Sequence, residues 1–102
     1  MKINIQTPGF KARPELLELI DEKVGKLSRL SDRILEVNVL VKTDKSDTRE
    51  NKVCEITLVI PGNDLFAKAQ SQTFEQAVHE TVTMSKRQIT DWNEEKKQHR
   101  QT

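Results

Sequence analysis

The 102-residue chain places four of its 17 lysines and arginines in one short segment, Lys23-Val24-Gly25-Lys26-Leu27-Ser28-Arg29-Leu30-Ser31-Asp32-Arg33-Ile34. Lys23, Lys26, Arg29 and Arg33 crowd the place where a helical pattern of apolar residues gives way to a strand pattern. Cations at the end of a helix can grip phosphates, and they can equally complement the partial negative charge of the helix C-terminus. Lys86 and Arg87 supply a second cationic pair on the polar side of the closing helical pattern, with Lys86 aligned with His79 and Thr90 and Arg87 further round. If the two helices lie side by side, these cations border a shared groove. Each phosphate neutralised there releases counterions, so five or six contacts bind strongly at low salt and weaken steeply as salt rises. The plainer alternative is that lysines and arginines simply solvate helix surfaces.

No other residue set competes. Cys54 alternates onto the apolar side of a strand pattern, the place of a packed thiol. His79 and His99 stand twenty residues apart, one on a polar helix face and one in the tail. Neither has a Cys or His neighbour at metal-ligand spacing. Gly9, Gly25 and Gly62 form no phosphate-cradling cluster. The acidic residues are scattered over helix surfaces. No enzyme activity, cofactor, metal or small-molecule substrate is expected.

The elements that would position the cations follow from periodicity. Ile3 and Ile5 alternate in Lys2 to Gln6, a short strand ended by Thr7-Pro8-Gly9. A helix starts near Arg13-Pro14, where proline suits the first turn. Leu16, Leu17, Ile20, Val24 and Leu27 make its apolar stripe. Glu15, Glu18, Asp21 and Glu22 occupy its first half and Lys23, Lys26 and Arg29 its second, a polarity that suits the helix dipole. Residues 34–42 alternate as a strand through Leu35, Val37, Val39 and Val41. From Asp44 to Glu50 seven consecutive residues are charged or carry a hydroxyl, the mark of a mobile hairpin loop. Residues 52–60 form the next strand, with Cys54, Ile56, Leu58 and Ile60 on one face. Pro61-Gly62-Asn63-Asp64 reads as a tight turn, and residues 65–71 as a strand whose Ala67 and Ala69 let a helix come close. Thr73 and Gln76 match a capping box. The last helix buries Phe74, Ala77, Val78, Thr81, Val82, Ser85, Ile89 and Trp92, and the charged tail after Trp92 is expected to fray.

The order β-α-β-β-β-α predicts an α+β fold. A right-handed crossover sets the first two strands parallel and adjacent, the next two complete an antiparallel meander, and both helices cover one face of the four-stranded sheet. Length allows one domain with a modest core. Hydrophobic residues make up 34% and charged residues 32% of the chain, and the net charge is only +1. Nucleic-acid binding would therefore depend on segregated charge rather than bulk basicity. No apolar run approaches the roughly 20 residues that cross a bilayer. The N-terminus has no signal-peptide block, and the lone cysteine suits a reducing compartment. A cytoplasmic protein without membrane contact is expected.

Several pieces in this order resemble the ribosome hibernation-promoting factor family, also called ribosome-associated inhibitor A or sigma-54 modulation protein. They are Lys23-x-x-Lys26-Leu27 followed by Asp32-Arg33-Ile34, the strand Ala67-Lys68-Ala69 leading into Gln72 to Val78, and Arg87-Gln88-Ile89. The resemblance spans residues 1 to about 97. It implies one RNA-binding domain over 1–97, like double-stranded RNA-binding domains in fold, with 98–102 as a flexible tail. It also implies a factor that is monomeric off the ribosome. Such a factor occupies the mRNA and tRNA decoding channel of the small (30S) subunit and inhibits translation by steric occlusion in slow growth, stationary phase or stress. Carried over by position, Lys23, Lys26, Arg33, Lys86 and Arg87 contact 16S rRNA, with Arg29 a further candidate.

Two departures accompany the resemblance. Asp91-Trp92-Asn93-Glu94-Glu95 stands where members often carry further lysines, which should weaken phosphate attraction there and leaves Trp92 as either core or a base-stacking ring. The resemblance also points to the family's short form, expected to be without the C-terminal dimerisation domain of the long form. Two alternatives stay open: a general structured-RNA binder, and a protein-interaction module that uses the open sheet face through Leu40, Val53, Val59 and Phe66.

Overall fold

The structure, a computed structural model, describes residues 1–45 and 49–101, with side chains described up to Glu94. Its elements are β1 (Lys2–Gln6), α1 (Pro14–Gly25), a 3-10 segment (Lys26–Leu30), β2 (Glu36–Thr43), β3 (Lys52–Val59), β4 (Leu65–Ser71) and α2 (Phe74–Gln101). The sheet order is β1-β2-β3-β4. β1 pairs parallel with β2, and the two other pairings are antiparallel. The α+β architecture predicted from periodicity is the one observed.

Register explains why one sheet face is apolar. Ile3 faces Val37, Ile5 faces Val39, Val41 faces Cys54 and Ile56 faces Ala67. Side chains alternate along a strand, so these residues share a face. Val37, Val39, Val41, Cys54 and Ile56 among them join Leu16, Ile20, Val24 and Leu27 from α1 and the 3-10 segment, and Ala77, Val78, Val82 and Ile89 from α2, in a single buried cluster, against which Ile3 and Ile5 pack half-buried. Ala67 is buried beneath α2 on β4, where its small side chain permits close approach.

Polar groups inside are satisfied locally. The Thr81 hydroxyl donates to the Ala77 carbonyl at 2.7 Å and lies 3.2 Å from that of Cys54, while Ser85 donates to Thr81. At the sheet edge, Ser71 donates to Glu80, and the Gln88 amide donates to the Phe66 carbonyl of β4 at 2.7 Å. Two contacts from α2 thus hold both ends of the edge strand.

Local geometry departs from the sequence pattern at several points. α1 stops at Gly25, and its apolar stripe is completed by Leu27 in the tighter 3-10 segment, where Ser28 donates to the Gly25 carbonyl. β2 begins at Glu36 rather than at residue 34, because Ile34 is already buried in the core while Leu35 turns outward. Only half of the capping box forms: Thr73 Oγ1 accepts from the Gln76 N–H, and the Gln76 amide turns instead to Glu80. The helix continues past Trp92 to Gln101 instead of breaking, in keeping with the helix-forming Glu, Lys and Gln residues there. In the β2–β3 loop, Asp44 donates its N–H to the Asn51 carbonyl; residues 46–48, the centre of the expected mobile loop, lie outside the described residues.

The turn over Pro61-Gly62 takes its positive torsion at Gly62, with φ +94°. A Cβ there meets nothing within 4 Å, so only backbone strain opposes it. Gly25 is helical, with φ −57° and equally open space. Gly62→Ala is therefore expected to destabilise by about 1 kcal/mol, and Gly25→Ala to stabilise by about 0.5–1 kcal/mol; chemical denaturation of the two variants checks the opposite signs.

Cys54 is fully buried, and loss of solvation pushes its thiol from 9.0 up to about 11, with the Thr81 hydroxyl opposing and the Glu55 carboxylate adding to the rise. The folded state thus holds a neutral thiol while the unfolded chain ionises first. Stability carried by the thiol is complete below pH 9 and falls by about 2 kcal/mol towards pH 11. Comparing the alkaline slope of the unfolding free energy with that of Cys54→Ala isolates this contribution, and a thiol reagent should label the native protein only upon unfolding.

Candidate nucleic-acid interface

Each predicted cation has a defined seat. Lys23 is half-buried in the last turn of α1. Lys26 opens the 3-10 segment and sits 4.0 Å from Glu22, with both side chains more than half exposed. Such a solvated pair contributes little and releases its lysine readily. Arg29 is exposed one turn later. After the 3-10 segment the backbone turns extended at Ser31, whose Oγ accepts from the Arg33 N–H at 3.2 Å. This short turn aims Arg33 across to α2, where its guanidinium lies 5.0 Å from the centre of the Trp92 ring. Trp92 is half-buried and packs against the core, so it is both a core residue and a platform for a cation.

A second tie lies beside it. The Leu30 carbonyl, at the end of the 3-10 segment where helical partners run out, accepts from the Asn93 amide at 3.1 Å. These two contacts fasten the cationic segment to the last third of α2. Lys86 lies seven residues before Asn93, hence on the same side of the helix and about 10 Å along it. The structure therefore brings Lys86 to the flank that carries the 3-10 segment. Arg87 turns about 100° further and stands exposed on the outer crest, so it widens the basic surface without lining the groove.

Of the acidic departures with described side chains, Asp91 falls away from this flank and Glu94 beside the crest. Asp91 lines the opposite flank of α2, with Ile60, Pro61, Gly62 and Gln88. Glu94 is exposed, seven residues after Arg87 and so on its side of the helix. Among the described residues the ion pairs are Lys26–Glu22 and Lys42–Glu55. Lys23, Arg29, Lys86 and Arg87 have no carboxylate partner among those residues. Unpaired cations along one flank, held by a fixed junction, can bind a run of phosphates.

Sequence reasoning found the cations and missed their fastening. Asn93 and Leu30 are 63 residues apart, as are no motif-scale signals, and Arg33 and Trp92 carry no shared pattern that announces their contact. The apolar stripe of α2 ending at Trp92 was the only trace.

The open sheet face differs from expectation. Val53 is only 2% exposed, and Leu40 and Val59 are half-buried; Phe66, at 52%, is the large apolar side chain exposed there. Gln70 reaches over to Asp44 and to the Glu50 carbonyl beside Val53. Asn4 donates to Asn38 at 2.9 Å and to Glu36, so the face is a hydrogen-bonded polar ladder rather than a continuous apolar patch of the kind that marks protein docking. Among the described residues, no group of three His, Cys, Asp or Glu side chains could hold a metal ion, and no helix is long and apolar enough to cross a membrane.

Residues 3–97 match the family model described as sigma 54 modulation protein / S30EA ribosomal protein. The chain is 28% identical over 99 residues to the ribosome hibernation promoting factor of Escherichia coli K12, and 25% identical to that of Klebsiella oxytoca. Both alignments cover 97% of this chain and the whole of the relative. Its fold is similar to that of a ribosomal subunit interface protein from Coxiella burnetii, with a TM-score of 0.76 at 21% identity over 91% of this chain and 98% of that one. The N-terminal domain of Thermus thermophilus Protein Y gives the same TM-score at 16% identity, over 90% and 99%. With a match that runs nearly from end to end, the chain belongs to the sigma 54 modulation protein / S30EA ribosomal protein family.

Proposed function

We propose that the protein is a ribosome hibernation factor, a non-enzymatic cytoplasmic inhibitor of translation active in slow growth, stationary phase or stress. It is monomeric off the ribosome and binds the small (30S) ribosomal subunit through residues 1–97. The observation that carries this reading is the fastened basic flank, in which Lys23, Arg29 and Lys86 lack carboxylate partners among the described residues and Arg33 is aimed by Ser31 and Trp92. Its relatives' names supply the partner, a ribosome. The flank grips 16S rRNA phosphates in the decoding channel, with Arg87 adding a contact from the crest. The body of the domain then occupies the space that mRNA and tRNA need, so inhibition is steric and no bond is made or broken.

A general structured-RNA binder would use the same flank. A protein-interaction module on the open sheet is disfavoured by the buried Val53 and the polar Asn4–Asn38 ladder.

Sucrose-gradient sedimentation of stationary-phase extract tests the reading. The protein should travel with small subunits and monosomes, and its absence from them would sink the ribosomal assignment. Across a salt series, log affinity should fall with log salt at a slope of about −4 to −5, as five or six phosphate contacts require. Combined charge reversal of Lys23, Lys26, Lys86 and Arg87 should abolish co-sedimentation; retained binding would exclude the flank.

Arg33 and Lys86 should separate under mutation. Arg33→Gln loses the contact with Trp92 as well as a phosphate, so it is expected to cost about 0.5–1 kcal/mol of stability and to weaken ribosome binding. Lys86→Gln should leave the unfolding midpoint unchanged and reduce the salt slope by about 1. Paired denaturation and binding measurements distinguish the two.

A further inference from the structure

A second cluster of exposed charge, here beside aromatic rings, lies at the other end of the helices, where both begin. The rings of Phe10, in the loop before α1, and Phe74, the first residue of α2, are stacked 4.8 Å apart and within 4° of parallel. The Lys52 ammonium, which also donates to Asn51, lies 5.6 Å from the centre of the Phe74 ring. Both rings are half-buried and line a groove of about 600 Å³ with Leu16, a volume in the range that holds small ligands. Lys11 and Arg13 line it too, exposed and without a carboxylate partner among the described residues, together with the exposed Glu15 and Glu75.

The three kinds of group point to one ligand class. A flat aromatic shelf stacks a splayed-out base. Cations beside it take the attached phosphate. Carboxylates accept from base N–H groups, and guanine presents two such donors, N1–H and N2–H, on one edge. We infer that this groove binds an unpaired guanine nucleotide of RNA, with its base stacked on Phe10, its phosphate held by Lys11 and Arg13, and its Watson–Crick edge facing Glu75 or Glu15. The site is separate from the Lys23–Lys86 flank and does not rest on the ribosomal reading.

Fluorescence anisotropy of the free, full-length protein at low salt with labelled RNA tetramers UUGU, UUAU, UUCU and UUUU tests it. UUGU should bind about tenfold more tightly than UUUU, the size of one bidentate base-edge contact. Phe10→Leu should weaken all four tetramers about tenfold, the size of one base-stacking contribution, and Glu15→Gln combined with Glu75→Gln should erase the preference for guanine over adenine. Lys11→Gln combined with Arg13→Gln changes only exposed side chains, so the fold is retained, and it should weaken all four tetramers. Equal affinity for the four RNAs, or binding unaffected by the Lys11 and Arg13 changes, would overturn the inference. Because the assay uses no ribosome, its failure leaves the sedimentation test untouched.

Discussion

A sheet with one apolar face must be roofed, and the two helices of this small domain supply the whole roof. Val37, Val39 and Val41 from β2 and Cys54, Ile56 and Leu58 from β3 are each at most 1% exposed. Their burial requires Ile20, Val24 and Leu27 on one side and Val78, Val82 and Ile89 on the other. Hydrophobic burial of this kind is non-directional, so it fixes the helices over the sheet without specifying the chemistry of their outer surfaces. The solvent-facing sides remain available for charge, and the cations reside there.

Position on that roof matters more than net charge. A chain with a formal charge of +1 has no general attraction for polyanions. Here the positive groups occupy the helix flank and the 3-10 segment, while Asp91 lies towards the β3–β4 turn. The contacts Arg33–Trp92 and Asn93–Leu30 join sequence-distant parts into one surface. A rigid surface avoids much of the ordering cost that a flexible basic tail would incur on binding.

The strands and helices were legible because alternation and helical spacing are local. Ile3 and Ile5, the Val37–Val41 series and the stripe from Leu16 to Leu27 each reveal a buried face within a few residues. The parallel placement of β1 beside β2 followed from the crossover. What periodicity could not supply was the geometry of exceptions. The switch to 3-10 turns after Gly25 depends on how Leu27 meets the core, and the burial of Val53, on the supposedly open side, accompanies Gln70 reaching to the loop ends. The six cations could be named from the sequence, but the placement of Arg87 on a crest and Lys86 on a flank required the axis of α2 to be anchored by Asn93.

The Gln88 amide on the Phe66 carbonyl has a consequence for the solution life of the molecule. β4 ends the sheet, and an uncovered edge strand offers its backbone as a template on which other chains can add. Leu65-Phe66-Ala67 is the most apolar part of that edge, and it is where α2 places a side-chain donor. A helix that roofs the core and presents its cations to solvent therefore also occupies a backbone acceptor of the edge strand at its most apolar point.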